Sequence, residues 1–124
     1  VFQEDRLCGV FSAVANVRLA TGRALPEPEI LRHLEELGLA GSARRPVSQL
    51  SGGMRRRVAI ARAVCAGPQL LLLDEAFKGL DDQCRRDTVA YIRRHTPGAS
   101  LLCVTHDPEE AALLGGRCLD LSAL

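Results

Sequence analysis

An α/β chain, with a helical half placed ahead of a parallel sheet, is the architecture this sequence predicts. Three observations carry it. Two short apolar runs, "QLLLLD" at 69–74 and "ASLLCVT" at 99–105, are bounded by turn residues and too short for free-standing helices, which fits strands buried on both faces. A helix-sized segment from about Asp82 to His95 separates them, and strands joined through helices pair in parallel by right-handed crossovers. Ahead of both runs lie three segments with helical spacing.

In chain order, "SAVANVRLA" has a capping Ser12, apolar positions at Val14, Val17 and Ala20, and a Thr21-Gly22 break, the signature of a short amphipathic helix. "PEPEILRHLEELGL" opens with prolines and acids, puts Ile30, Leu34 and Leu37 on one face and stops near Gly38. A third helix follows Ser51, with Met54, Val58, Ala61 and Cys65 on one stripe, and ends at Gly67-Pro68. The two strands and their crossover come next, then a short helix from Pro108 to Leu114. Gly115-Gly116 closes that helix, and "RCLDL" at 117–121 is expected as a closing strand. No internal repeat or low-complexity tract is present.

At 124 residues, 47% hydrophobic and 25% charged, the chain is sized and composed for one globular core. A formal charge of +1 argues against general nucleic-acid binding, and the arginine clusters Arg55, Arg56, Arg57 and Arg85, Arg86 are expected on solvated helix faces. Cys8, Cys65, Cys84, Cys103 and Cys118 form no CxxC pair, and those inside apolar runs are expected as reduced, buried thiols of a cytosolic compartment. No apolar stretch approaches the ~20 residues that cross a bilayer, and no signal-peptide layout opens the chain. The opening "VFQEDR" reads as the middle of a strand and its exit loop, so a longer parent chain is expected.

In open parallel sheets ligands bind at the carboxyl ends of the strands. The first strand ends on Asp74 and Glu75 and the second on His106, so a carboxylate pair and an imidazole are expected at one edge. Taken singly, Asp74 reads equally well as a helix cap, Glu75 as a solvated loop acid and His106 as the start of a cap in "HDPEE". Their coincidence at two strand ends favours a site. Ser51-Gly52-Gly53 supplies a hydroxyl, open backbone N–H groups and the positive end of a helix dipole, which suits a phosphate. Capping alone explains Ser51 but not two successive glycines, which weaken a helix.

With these residues in view, the chain resembles the ABC-transporter ATPases over nearly its whole length. "LSGGM" at 50–54 is similar to their signature motif, "LLLLDEAF" to the Walker B strand, "GLDD" at 79–82 to the D-loop, "VTHDPEEA" to the histidine switch and "FQEDRL" at 2–7 to the Q-loop, in the family order. "FQEDRL" and "FKGLD" look most like importers of the nitrate, sulfonate and taurine group. The resemblance implies a partial P-loop NTPase-like sheet plus an α-helical signature subdomain. It divides the chain into a Q-loop segment at 1–8, a helical subdomain at 9–67, and the Walker B, D-loop and H-loop part of the core at 68–124.

The resemblance further implies an ATPase using ATP and Mg²⁺. Asp74 would hold the metal through water, Gln3 would approach metal and water, Glu75 would polarise the attacking water, and His106 would contact the γ-phosphate. Ser51, Gly52 and Gly53 would contact ATP held by a second, head-to-tail ATPase subunit, with Asp81 along the seam. Transmembrane permease subunits are the implied partners, docking near Phe11, with a substrate-binding protein involved indirectly and no nucleic acid. The implied place is the cytoplasmic face of a bacterial membrane. The 124 residues contain no Gly-x-x-x-x-Gly-Lys-Ser/Thr loop, Lys78 being the only lysine, and no adenine-stacking aromatic precedes Gln3. Ala76, Met54 and Lys78-Gly79 stand where the family commonly has Pro, Gln and Ser-Ala. Two other readings stay open: an ABC-type ATPase of DNA maintenance, disfavoured by the absence of heptads and paired cysteines, and a non-catalytic module completing a partner's site.

Overall fold

The structure, a computed structural model, describes residues 1–123. Helix α1 (Ala13–Thr21) begins where Ser12 Oγ accepts the Ala15 N–H at 3.1 Å. It buries Val14 and Val17, but Ala20 is exposed, because the helix packs through its first two turns and its last turn runs into solvent. Asn16, fully buried, accepts from the Cys8 N–H at 2.8 Å and donates to the Cys8 and Ser12 carbonyls at 3.0 Å. A satisfied buried amide of this kind fixes the loop before the helix.

Helix α2 (Glu27–Glu36) carries acids in its first turn and buries Ile30 and Leu34, with Leu37 buried just beyond its end. Gly38, at φ 76°, supplies the left-handed residue that stops it. Helix α3 (Gly52–Cys65) follows Ser51, whose Oγ accepts the Met54 N–H at 3.2 Å. Strand β1 (Leu70–Asp74), helix α4 (Asp82–His95), strand β2 (Ser100–Val104) and helix α5 (Pro108–Leu114) complete the order.

Strands β1 and β2 pair in parallel, from Leu70 opposite Ser100 to Asp74 opposite Val104. The expected parallel α/β sheet is present, with two corrections. The strands are covered on one face only: Leu71 and Leu73 are buried, whereas Leu70, Leu72, Leu102 and Val104 are each more than half exposed. Alternate side chains of a strand point to opposite faces, and among the described residues helices pack against just one of them. The closing strand at 117–121 is also absent. Residues 117–120 are irregular and lead into a single 3₁₀ turn, where Asp120 Oδ1 accepts the Ser122 N–H at 2.9 Å and leaves Leu119 exposed.

One apolar cluster joins the two halves, running from Val17, Ile30 and Leu34 through Val58 and Ile60 to Leu73, Phe77, Tyr91 and Ile92. Burying a side chain of this size contributes about 1.5–3 kcal/mol. The arginines expected on solvated faces divide instead: Arg56 and Arg85 are buried, Arg55 and Arg57 half-buried, and Arg86 exposed. Long side chains bury their stems while the head finds acceptors, so an arginine run on a helix is not by itself a surface. The cysteines are all free, but four are half-buried rather than buried and Cys118 is exposed. Burial pushes the Cys65 and Cys103 thiols up to about 11, so both stay protonated at neutral pH.

Polar contacts also tie α2 to α4. His33 Nδ1 lies 2.7 Å from the Tyr91 hydroxyl, its ring 4.4 Å from that of His95, and His95 Nε2 is 2.8 Å from Glu36. Burial, then the charge of His95, outweighs the acids Glu36 and Glu29 and holds His33 below its usual 6.5. The unfolded chain therefore binds the proton more readily, and stability that is whole above 6.5 is lost as pH falls through the folded-state value. His33→Gln, which keeps a hydrogen-bonding group, is expected to flatten the decline in unfolding midpoint between about pH 8 and pH 5. Parallel wild-type and variant profiles would contradict this.

Candidate functional site

Because β1 and β2 run in parallel and in register to Asp74 and Val104, both strands finish at one edge. There Gln3, Asp74, Glu75, Lys78, Val104 and His106 line a cavity of about 350 Å³. The edge is fixed from both sides. Glu75 adopts φ 49°, a left-handed conformation rare outside glycine, while its N–H donates to the Val104 carbonyl at 2.9 Å. Such a conformation costs on the order of 1 kcal/mol and persists only when its surroundings impose it. Here the imposing groups are β2 and the buried Ala76 and Phe77 that follow.

The Glu75 carboxylate is mostly shielded from water, and its Oε1 is buried with no hydrogen-bond partner. His106 Nε2 approaches that oxygen to 3.2 Å without hydrogen-bond alignment, from a side chain that is 95% exposed. A buried acceptor left open beside an exposed donor is an arrangement a ligand completes.

His106 is held at its base. Thr105 Oγ1 accepts the Asp107 N–H at 3.0 Å and donates to Glu110, and Asp107 caps α5 through the Glu109 N–H at 2.9 Å. Buried Arg85 on α4 donates to Asp107 and Glu109 at 2.7 Å each. The capping readings of the strand-end residues therefore fail: Asp81 caps α4, accepting from the Cys84 N–H at 2.8 Å, and Asp107 caps α5. Asp74 and His106 are left facing the cavity, and Glu75 is no solvated loop acid.

The donor set suits magnesium, which takes hard oxygen ligands, often one or two carboxylates completed by water and phosphate. Asp74, Gln3 and the open Glu75 oxygen are of that kind. Among the described residues no group of three His, Cys, Asp or Glu would hold a metal by itself, so phosphate and water oxygens would have to complete the shell.

The Ser51-Gly52-Gly53 turn does not line this cavity. Ser51 and Gly52 are exposed, and neither glycine has positive φ. A Cβ added at Gly52 meets nothing within 4 Å, and one at Gly53 lies 3.5 Å from the Gly79 carbonyl oxygen, an ordinary contact. Nothing within the chain therefore demands glycine at either position, although each weakens the first turn of α3. Asp81 sits apart as well, in a second hollow between the end of α2 and the start of α4.

Sequence reading brought Gln3, Asp74, Glu75 and His106 together but passed over Lys78, whose signal was a lone cation three residues beyond the acid pair. It also passed over Arg85, because a buried arginine is indistinguishable from an exposed one until its acceptors are placed.

A protein-family model described as ABC transporter matches residues 1–78. The chain is 45% identical over 127 residues to the aliphatic sulfonates import ATP-binding protein SsuB 2 of Burkholderia lata, covering 98% of this chain and 46% of that protein. It is 42% identical over 130 residues to the taurine import ATP-binding protein TauB of Yersinia pestis, covering 98% and 51%. The chain thus spans about half the length of the curated relatives it matches. A dimeric structure of the ATP-binding cassette MJ0796 in a post-hydrolysis state, bound to ADP and Pi, superposes with a TM-score of 0.78 at 27% identity, over 90% of this chain and 54% of that one. Motif order, the parallel sheet with its polar edge and these likenesses agree: the chain belongs to the ABC transporter family.

Proposed function

We propose that this chain is the signature and Walker B part of the ATP-binding subunit of a bacterial ABC importer, which couples ATP hydrolysis to transport from the cytoplasmic face of the membrane. The observation that carries this reading is the convergence of Gln3, Asp74, Glu75 and His106 on one cavity, with a buried Glu75 oxygen left open. Residues 1–8, 9–67 and 68–124 are taken as Q-loop segment, helical subdomain and catalytic part. The sulfonate and taurine relatives favour an importer of that group. No helix of the described residues is long and apolar enough to cross a membrane. The names of the importer relatives support permease subunits as the membrane partners, with a substrate-binding protein acting through them.

Phosphoryl transfer chiefly needs positioning and charge compensation. Glu75, shielded and fixed by the β1 exit, orients the attacking water and accepts its proton. His106, exposed on a braced loop, donates to the γ-phosphate. Asp74 and Gln3 are the residues that would hold Mg²⁺, which when bound offsets the charge of the phosphate oxygens. Ser51, Gly52 and Gly53 present free N–H groups at the start of a 14-residue helix to the nucleotide of a second, head-to-tail subunit, with Asp81 at the seam. Bare backbone there is explained by close approach from outside, since nothing inside the chain requires it.

The phosphate-binding loop of this family is not among these 124 residues. The 124-residue chain alone is therefore expected to show no ATP turnover above background, while the full-length protein hydrolyses ATP in a Mg²⁺-dependent manner. Phosphate-release assays on both proteins check this. Robust, Glu75-dependent turnover by the 124-residue chain would contradict the proposed division of labour.

A further inference from the structure

The buried arginine of the "RRR" run does not serve the apolar core. Arg56 Nη1 donates to the Phe2 carbonyl at 2.7 Å, its Nη2 donates to the Gln3 carbonyl at 2.5 Å, and Nη1 lies 3.1 Å from Asp5 Oδ1. Further along α3, Arg62 donates to the Asp5 and Arg6 carbonyls, at 3.0 Å each. Residues 2–6 belong to no helix or strand, so four of their five carbonyls are held by two guanidinium groups of a single helix. Arg6 adds a left-handed backbone, φ 51°, with its guanidinium 4.4 Å over the Phe2 ring. A planar guanidinium satisfies two adjacent carbonyls at once, which a lysine ammonium does not do with the same geometry.

We infer that Arg56 is a positioning residue for ATP hydrolysis: by gripping the carbonyls on either side of the Gln3 α-carbon, it sets where Gln3 presents its side-chain amide in the cavity. This rests on the proposed roles of Gln3 and of the Ser51–Gly53 turn. Arg56 stands one turn beyond that turn on α3, so a shift of the turn against a partner's nucleotide is carried by a continuous helix to Gln3 in the chain's own site. Two nucleotide sites are thereby linked through α3, with Arg56 making the contact at Gln3 itself; its neighbours in the run, Arg55 and Arg57, make no hydrogen bond to residues 2–6 among the described residues.

The test is a double-mutant cycle in the full-length ATPase, with Arg56→Lys and Gln3→Ala singly and together. Arg56→Lys keeps the charge and is expected to lower kcat about ten- to hundredfold, the cost of a misplaced catalytic geometry, with KM for ATP and the melting temperature nearly unchanged. Gln3→Ala is expected to lower kcat similarly, and the double variant to be no slower than Gln3→Ala alone, since groups acting as a unit are not additive. Backbone NMR order parameters at residues 2–6 should fall in Arg56→Lys while those of α1 and α2 hold, a readout that stands if turnover is too weak to measure. Arg62→Lys, which loosens the same segment, should act in the same direction. Multiplicative losses, or unchanged kcat with a lowered melting temperature, overturn the positioning role while leaving Gln3's own role intact. A silent Gln3→Ala overturns the reading of Gln3 and this inference with it.

Discussion

Glu75→Gln in the full-length protein is expected to lower ATP turnover by about 10²–10⁴-fold, the usual contribution of a positioned general base, while ATP binding and the fold persist. The substitution is nearly isosteric. It removes no internal hydrogen bond, because the buried Oε1 has none and His106 only approaches it. The backbone that aims the side chain, including the N–H donated to Val104, is untouched. On the proposed reading the phosphates are contacted by groups other than Glu75, so binding is expected to persist while the group that takes the proton from water is lost. Phosphate release under saturating ATP, alongside size-exclusion chromatography for an ATP-stabilised dimer, measures both halves of the claim. Turnover within about threefold of wild type would remove Glu75 from the role of base.

Gly52→Asp separates folding from nucleotide recognition more sharply. Position 52 has open space around it and begins α3. Replacing glycine in a helix and adding an acid to its first turn each favour folding, the latter by about 0.3–1 kcal/mol. The melting temperature is therefore expected to hold or rise. An extra carboxylate at the mouth of the helix repels phosphate and blocks access to the N–H groups, so ATP-dependent dimerisation and turnover should fall, on the order of 10²–10³-fold for lost electrostatic stabilisation of this kind. A more stable protein with unchanged turnover would mean that the two glycines serve no ligand.

Much of this site is legible in the sequence because it depends on local patterns. Four leucines followed by two acids mark where a strand stops and chemistry begins, and the same logic places His106 after β2. Helices α1 to α5 follow from caps and apolar spacing, which act within a few residues. What the sequence hides is non-local. Leu70 and Leu102 read as buried because an apolar run does not say whether one face or both are covered. "RCLDL" has strand composition, yet it pairs with nothing among the described residues. Arg56 and Arg85 read as surface charge because their partners lie 51 or more and 22 or more positions away, apart from the local Asp82. The Ser51–Gly53 turn stands as a different case, since its glycines make sense only with a molecule outside the chain.

Mixed dimers test the head-to-tail site most directly. In full-length protein, one subunit carrying Glu75→Gln is paired with another carrying Gly52→Asp, and compared with a pair in which both substitutions sit on the same subunit beside a wild-type partner. If each nucleotide lies between the Glu75 edge of one subunit and the Ser51–Gly53 turn of the other, the first pair retains one intact site and hydrolyses ATP, whereas the second has both sites damaged and is inactive. Turnover by the second pair with none from the first would mean that the site is built within a single chain.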